Sequence, residues 1–338
     1  MLTLGVETSC DETSVAIVDD GVHALSNVIL SQEEHSRFGG VVPEVASRSH
    51  VRTINPIFRE ALDKAGCKIE DIDLVSATYG PGLVGCLLVG LSFAKGLAQG
   101  LGCKFVAVNH LEGHIASNFL THSISNKPHI ALIISGGHTM LIHFHSFGRY
   151  ELLGKTRDDA AGEAFDKVAK LLGLGYPGGA RIDRISKGGN SNAFNFPRPM
   201  LKGSSYEFSF SGLKTAVARS LKKMDTNTRA KNLEDISASF QEAVVDVLSS
   251  KALRAVEISG VRTLAVSGGV AANTRLRDVL REKCERGNID LHFPDEEFCT
   301  DNAAMVAAAG YFRYRAFGES PFEIDARPSL SVSDSLSG

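Results

Sequence analysis

Apolar residues dominate Leu2–Asp19 and are broken once by the polar run Thr8-Ser9-Cys10-Asp11-Glu12-Thr13. The pattern predicts a strand, an acidic hairpin tip and a return strand over Ser14–Val18. It recurs at Ile130–Phe144, where Ser135-Gly136-Gly137-His138-Thr139 separates two apolar runs. A third apolar run, Thr263–Val266, leads into Ser267-Gly268-Gly269-Val270-Ala271-Ala272-Asn273 and a helical stretch over Arg275–Lys283. Two strand–turn–strand units about 125 residues apart predict a duplicated, two-lobed α/β chain.

Helical periodicity covers Glu44–Lys64 with Pro56 inside it, Asp159–Leu172, Asp235–Ile258 and Ala-rich Asp301–Phe317. The second and last stop at Gly173 and Gly318, residues that suit a helix end. The longest uncharged stretch, between Asp73 and Lys95, is interrupted by Tyr79-Gly80-Pro81-Gly82. That predicts strand, turn and helix rather than a membrane span. Leu172–Asp183 reads as a tight Gly/Pro loop, and the Ser-rich tail Arg327–Gly338 reads as disordered.

Composition narrows the class. With 43 % hydrophobic and 22 % charged residues, the 338-residue chain is neither disordered nor collagenous. A net charge of −3 excludes a histone-like polybasic binder but leaves a local basic patch open. Six cysteines without a CxxC pair point to a reducing cytoplasm rather than a disulfide framework. The acidic start MLTLGVETSCDE predicts no secretory signal.

Asn109-His110-Leu111-Glu112-Gly113-His114 follows the apolar run Phe105–Val108. With Asn109 as N-cap, His110 and His114 fall one turn apart on one helix face, where two imidazoles can share a metal ion. Glu112, at i+2, lies about 200° around the helix from His110, which argues against an HExxH-type peptidase. Asp301 is a third candidate ligand, although from sequence alone it reads first as the N-cap of the last helix. The glycine turns after strands, together with Asp11 and Glu12, suggest a phosphate-bearing ligand near carboxylates and a divalent cation. No Walker A loop or GxGxxG fingerprint accompanies them. Asp166 and the Leu172–Asp183 loop suit a ribose. The basic cluster Arg219, Lys222, Lys223, Arg229 and Lys231 reads as a solvated helix face or as an RNA patch.

Taken in order, GVETSCDETSVAI, FGGVVPEVASRSH, YGPGLVGCLLVG, NHLEGH, SGGHT, GEAFDKVAKLLGLGYPGG, FSFSGLKTAV, SGGVAANTRLR and CTDNAAM resemble the bacterial TsaD family. The likeness spans Leu4 to about Leu330. It implies an actin-like ATPase (ASKHA) fold with a nucleotide cleft between lobes. The N-terminal lobe would cover 1–128, joined by a C-terminal helix at about 304–330. The second lobe would cover 129–303, with a disordered tail over 331–338. The implied reaction moves a threonylcarbamoyl group from threonylcarbamoyl-AMP to N6 of the adenosine 3′ of the anticodon in tRNAs reading codons that begin with A.

By the same resemblance, His110, His114 and Asp301 hold one divalent metal, iron(II) ahead of zinc(II). Ile133, Ile134, Ser135, Gly136, Gly137, Asp166, Gly179, Asp183 and Asn273 contact substrate, and Asp11 and Glu12 are catalytic. Archaeal relatives carry a metal-ligating tyrosine where this chain has Ile133, which cannot ligate. Implied partners are tRNA, a TsaB-type paralogue, a TsaE-type ATPase that uses ATP, and a TsaC/Sua-type enzyme that supplies the adenylate. A cytoplasmic protein without a membrane association is expected, with Pro43–Ile57 offered to a partner helix. An actin-fold phosphotransferase or ATPase and a non-catalytic scaffold are the alternatives; neither gives a reason for the histidine pair.

Overall fold

The computed structural model describes residues 1–32, 34–35, 40–121, 124 and 127–332. The chain begins with strands β1 (Leu2–Glu7), β2 (Glu12–Asp19) and β3 (His23–Ser31) and helix α1 (Pro43–Ala65). Next come β4 (Leu74–Gly80), α2 (Val84–Leu101), β5 (Lys104–Asn109) and the short α3 (His110–Ala116). The strands form one sheet in the order β3-β2-β1-β4-β5. β1 is antiparallel to β2 and parallel to β4, and β4 is parallel to β5. α2, an apolar helix long enough to cross a membrane, packs against β4 instead of standing apart.

A second five-stranded sheet repeats this plan. It contains β6 (His129–Ile134), β7 (Thr139–Ser146), β8 (Arg149–Lys155), β9 (Thr263–Ser267) and β10 (Asp290–His292). The order is β8-β7-β6-β9-β10, with β6 antiparallel to β7 and parallel to β9, and β9 parallel to β10. Strand for strand this is the topology of the first sheet, the structural trace of the duplication. Helices α4 (Ala161–Leu171), α5 (Gly178–Ser186), α6 (Ser211–Lys222), α7 (Thr226–Lys231), α8 (Leu233–Ser259) and α9 (Thr274–Gly287) belong with it. The loop expected over Leu172–Asp183 holds for 172–177, after which α5 begins, so Gly179 and Asp183 lie on a helix.

The last helix, α10 (Ala303–Phe317), returns to the first sheet. β2 shows how both of its faces are covered. Val15 and Ile17 pack in a core with Phe58 and Leu91, while Ala16 and Val18 pack with Ala303, Ala304 and Ala307. Side chains alternate across a strand, so successive residues serve different cores. Small residues let α10 lie close: a Cβ on Gly5 would come 2.1 Å from the Ala303 carbonyl oxygen.

One compact unit comprises Met1–Lys127, His145–Tyr150 and the chain from Pro294 onward; the other comprises Pro128–Phe144 and Glu151–Phe293. The first unit takes up the chain again at Pro294. Residues before α10 are already anchored in the first unit, with Asp295 N–H on Thr121 Oγ1 and Ala303 N–H on Ser14 Oγ. The final helix stops at Phe317 rather than running to about 330. Beyond it the chain is extended and pinned, with Ser320 N–H on the Phe105 carbonyl and Arg327 N–H on that of Tyr79. The expected disorder is therefore overturned for 327–332, where Leu330 and Val332 are buried; 333–338 lie outside the described residues.

Candidate metal centre

The site grows from three chain segments of the first unit. β5 ends at Asn109, whose side chain accepts a hydrogen bond from Leu111 N–H and caps α3. His110 and His114 follow on one face, with ring centroids 4.7 Å apart. α10 packs on α3, where Gly113 admits the Met305 side chain to 3.2 Å of a would-be Cβ. That contact brings Asp301 to the histidines. Its Oδ1 lies 3.5 Å from His110 Nε2 and 3.2 Å from His114 Nε2.

Asp301 is not the cap of α10. Asn302 holds that place, accepting from Met305 N–H at 3.0 Å. The aspartate is thereby free to turn its carboxylate inward. Glu112 points away from the cluster, accepting from Tyr150 Oη at 3.0 Å and pairing with Arg313 at 3.3 Å.

The donor set fits a metal. One ligand atom from each of His110, His114 and Asp301 lies within 4.8 Å of the others. His114 Nε2 is buried, and although Asp301 Oδ1 is close, the two make no aligned hydrogen bond. Two imidazoles and a carboxylate suit a first-row divalent ion such as iron or zinc, and three protein ligands are typical of catalytic rather than structural sites.

Glu7, at the end of β1, supports this group although its sequence context gave it no role. Its Oε2 lies 3.2 Å from His110 Nδ1 and accepts from Thr78 Oγ1, while Oε1 accepts from Ser9 N–H. Burial alone would push the carboxyls of Glu7 and Asp301 up, but His110 outweighs it and holds both below the usual range, Asp301 with help from His114. Conversely, burial would depress the His110 imidazolium, and Asp301 and Glu7 hold it well above its ordinary value. The Glu12 carboxyl is pushed well up by burial, then by the negative charges of Asp301 and Asp11. Burial and then the charge of Asp11 also raise the Cys10 thiol.

The remaining predicted residues lie in the second unit, around the carboxyl ends of the parallel strands β6 and β9. Ile133 and Ile134 are fully buried inside the sheet, and Ser135–Gly137 form the turn that follows. In it, Gly136 and Gly137 are exposed and nothing would touch a Cβ on either. The β9 turn closes on the same place: Gly268, at φ +90°, would put a Cβ 2.5 Å from the Ile134 carbonyl oxygen. Asp166 Oδ1 accepts from Gly178 N–H at 2.7 Å. Asp183 Oδ2 accepts from the Thr274 hydroxyl, while its Oδ1 is buried without a hydrogen-bond partner among the described residues. Asn273 caps α9 through Leu276 N–H and donates to Gln241 Oε1. Gly179 faces open space.

A family profile described as tRNA N6-adenosine threonylcarbamoyltransferase (TsaD) matches residues 23–308. The chain is 52 % identical over 333 residues to the protein of that name from Thermosipho africanus, covering 98 % of this chain and 100 % of that one. Among solved structures, HypF from T. kodakarensis superposes with a TM-score of 0.63 at 16 % identity, over 93 % of this chain and 48 % of that one. The ADPNP-bound activator of 2-hydroxyisocaproyl-CoA dehydratase from Clostridium difficile does so with 0.54 at 16 % identity, over 94 % and 96 %. These two likenesses establish the actin-like ATPase fold and nothing more.

Proposed function

Since the chain belongs to the TsaD family, the tRNA N6-adenosine threonylcarbamoyltransferases, we propose that it carries a threonylcarbamoyl group from threonylcarbamoyl-AMP to tRNA. The acceptor is N6 of the adenosine 3′ of the anticodon in tRNAs reading codons that begin with A. The observation that carries the reading to this chain's own residues is the convergence of His110, His114 and Asp301 beside Asp11 and Glu12. The actin-fold phosphotransferase and scaffold readings give no reason for the histidine pair.

His110, His114 and Asp301 hold one divalent ion, iron(II) or zinc(II). When bound, the ion supplies Lewis acidity toward the phosphate and carbonyl of the adenylate. The turns at Ser135–Gly137 and Gly268 offer backbone N–H groups to the nucleotide, and Asp166 and Asp183 accept from its hydroxyls. The unpartnered Asp183 Oδ1 is an acceptor waiting for such a donor. Asn273 keeps the α9 end of this surface in place, and Gly179 leaves room beside it. As the N6–carbonyl bond forms and the carbonyl–phosphate oxygen bond breaks, AMP departs. The proton lost by N6 passes to the carboxylate pair Asp11 and Glu12.

The protein acts in the cytoplasm with a TsaB-type paralogue and a TsaE-type ATPase, on adenylate made by a TsaC/Sua-type enzyme. Val51 on α1 and Val84 on α2 are largely exposed and give a partner helix apolar contacts. The test is nucleoside mass spectrometry on an unmodified tRNA reading ANN codons, incubated with this chain, its partners, threonine, bicarbonate and ATP. N6-threonylcarbamoyladenosine should form with the intact chain and not with His110→Ala. Full activity in a variant that has lost its metal would overturn the metal's role.

A further inference from the structure

Charge is divided unevenly between the two units. The first holds 13 lysines and arginines against 22 aspartates and glutamates; the second holds 23 against 17. A chain of net charge −3 therefore contains a unit of net charge +6.

The excess is concentrated. Lys214–Lys231, covering most of α6 and all of α7, carries six cations and a single acid, Asp225. That acid is already engaged, capping α7 through Thr228 N–H and its hydroxyl. α6 buries Leu213, Val217 and Leu221, so Arg219 and Lys222 project from the opposite side of the helix. α7 buries nothing, and Arg229 holds it to the end of α6 by donating to the Leu221 and Met224 carbonyls.

Elsewhere in this unit several cations are matched. Arg157 pairs with Glu207, Arg198 with Asp246, Arg275 with Glu242, and Arg286 with Glu282. Among the described residues, Lys214, Arg219, Lys222, Lys223 and Lys231 have no carboxylate within ion-pair reach. The other basic stretch of the sequence, Arg48–Arg59, lies in the acidic unit, and its Arg48 is paired with Glu44. Unmatched cations on one surface repel one another, and a polyanion relieves that repulsion while releasing its own counterions.

We propose that the outer face of α6 and α7 docks the sugar–phosphate backbone of the substrate tRNA. The assignment rests on the transferase reading for the identity of the polyanion. Backbone contacts of this kind hold and position an RNA without reading its sequence.

The test measures binding of a fluorescently labelled, unmodified ANN-reading tRNA to the full chain across a potassium chloride series. The triple variant Lys222→Ala/Lys223→Ala/Lys231→Ala should bind about tenfold more weakly or worse. The slope of log affinity against log salt should fall in magnitude by about two to three, roughly one for each phosphate left without its lysine. A control, Arg281→Ala/Arg286→Ala on α9, removes exposed cations that have acidic neighbours and should stay within about twofold of wild type. Unchanged affinity and slope in the triple variant would overturn the docking surface, as would an equal drop in the control. Retained tRNA binding with failed assembly onto a protein partner would assign the face to an acidic protein and also overturn it. Nucleoside mass spectrometry of the wild type in parallel separates the two readings: no modified nucleoside condemns the transferase, whereas product formation with an unaltered salt slope condemns only the surface.

Discussion

Glu7 Oε2 stands 3.2 Å from His110 Nδ1, on the side of the ring away from Asp301. Accepting the Nδ1 proton leaves the Nε2 lone pair facing Asp301 and His114. A carboxylate behind a ligating imidazole fixes its tautomer and orientation, and such partners are worth about 10- to 100-fold in metal affinity. Glu7→Gln replaces that acceptor with an amide able to donate to Nδ1, favouring the tautomer whose Nε2 is protonated. Metal affinity measured by chelator competition should fall by about that factor, with circular dichroism unchanged. Unaltered affinity would mean that Ser9 Oγ, 3.3 Å from the same nitrogen, orients the ring by itself.

Asp301 and Asn302 should separate metal binding from helix capping. Asn302→Ala removes the acceptor for Met305 N–H and should lower stability by about 1 kcal/mol while the metal content stays intact. Asp301→Asn keeps the cap but weakens the ligand set, so metal content should drop with little change in melting temperature. Unfolding scans paired with elemental analysis of both variants decide it; a metal deficit in Asn302→Ala alone would reverse the assignment.

These adjacent residues also mark what the sequence made legible. The histidine pair, the capping Asn109 and the glycine turns are local patterns, set by helical period and backbone freedom within a few residues. The roles of Asp301 and Glu7 depend on α10 and β1 meeting α3 from distant parts of the chain, which no spacing rule encodes. Asn302, rather than Asp301, caps the helix because only one of two adjacent cap-forming residues can, and the other then faces inward. The edge strands β3 and β8 carry mixed, partly exposed positions that blur the two-residue period. α5 was hidden behind Pro177, Gly178 and Gly179, where Gly178 serves close packing: a Cβ there would meet Asp166 Cα at 2.7 Å. Residues 327–332, in a segment rich in serine, are held because Leu330 reaches the core.

The two glycine turns of the second unit should respond differently to a methyl group. Gly268→Ala forces a left-handed residue and a Cβ 2.5 Å from the Ile134 carbonyl oxygen, so a destabilisation of about 1–3 kcal/mol is expected. Gly137→Ala meets nothing within 4 Å and should fold normally. Any effect of Gly137→Ala should appear as weaker adenylate binding by calorimetry at an unchanged melting temperature. Two variants of equal stability would show that the β9 turn relaxes away from β6.

Lys251 supplies a pH-dependent prediction away from the metal. It is buried on α8, where its ammonium donates to the Ser205 carbonyl at 2.8 Å and lies 5.6 Å from the Phe208 ring centroid. Burial, then Arg254, lowers its pKa to about 8, with Glu207 acting in the other direction. The unfolded chain keeps the ordinary value of 10.5, so between these values it holds a proton that the folded chain has released. The folded state therefore gains stability from this group as pH rises from about 8 to 10.5, and below pH 8 it bears the full cost of a buried charge. Lys251→Met keeps the aliphatic stem and removes the charge. At pH 7 the variant should be more stable than wild type by about 1–3 kcal/mol, the missing hydrogen bond offsetting part of the gain. The advantage should shrink steadily as pH approaches 10.5. Chemical denaturation of both proteins across that range tests it: an advantage independent of pH would show that Lys251 keeps its proton in the folded chain.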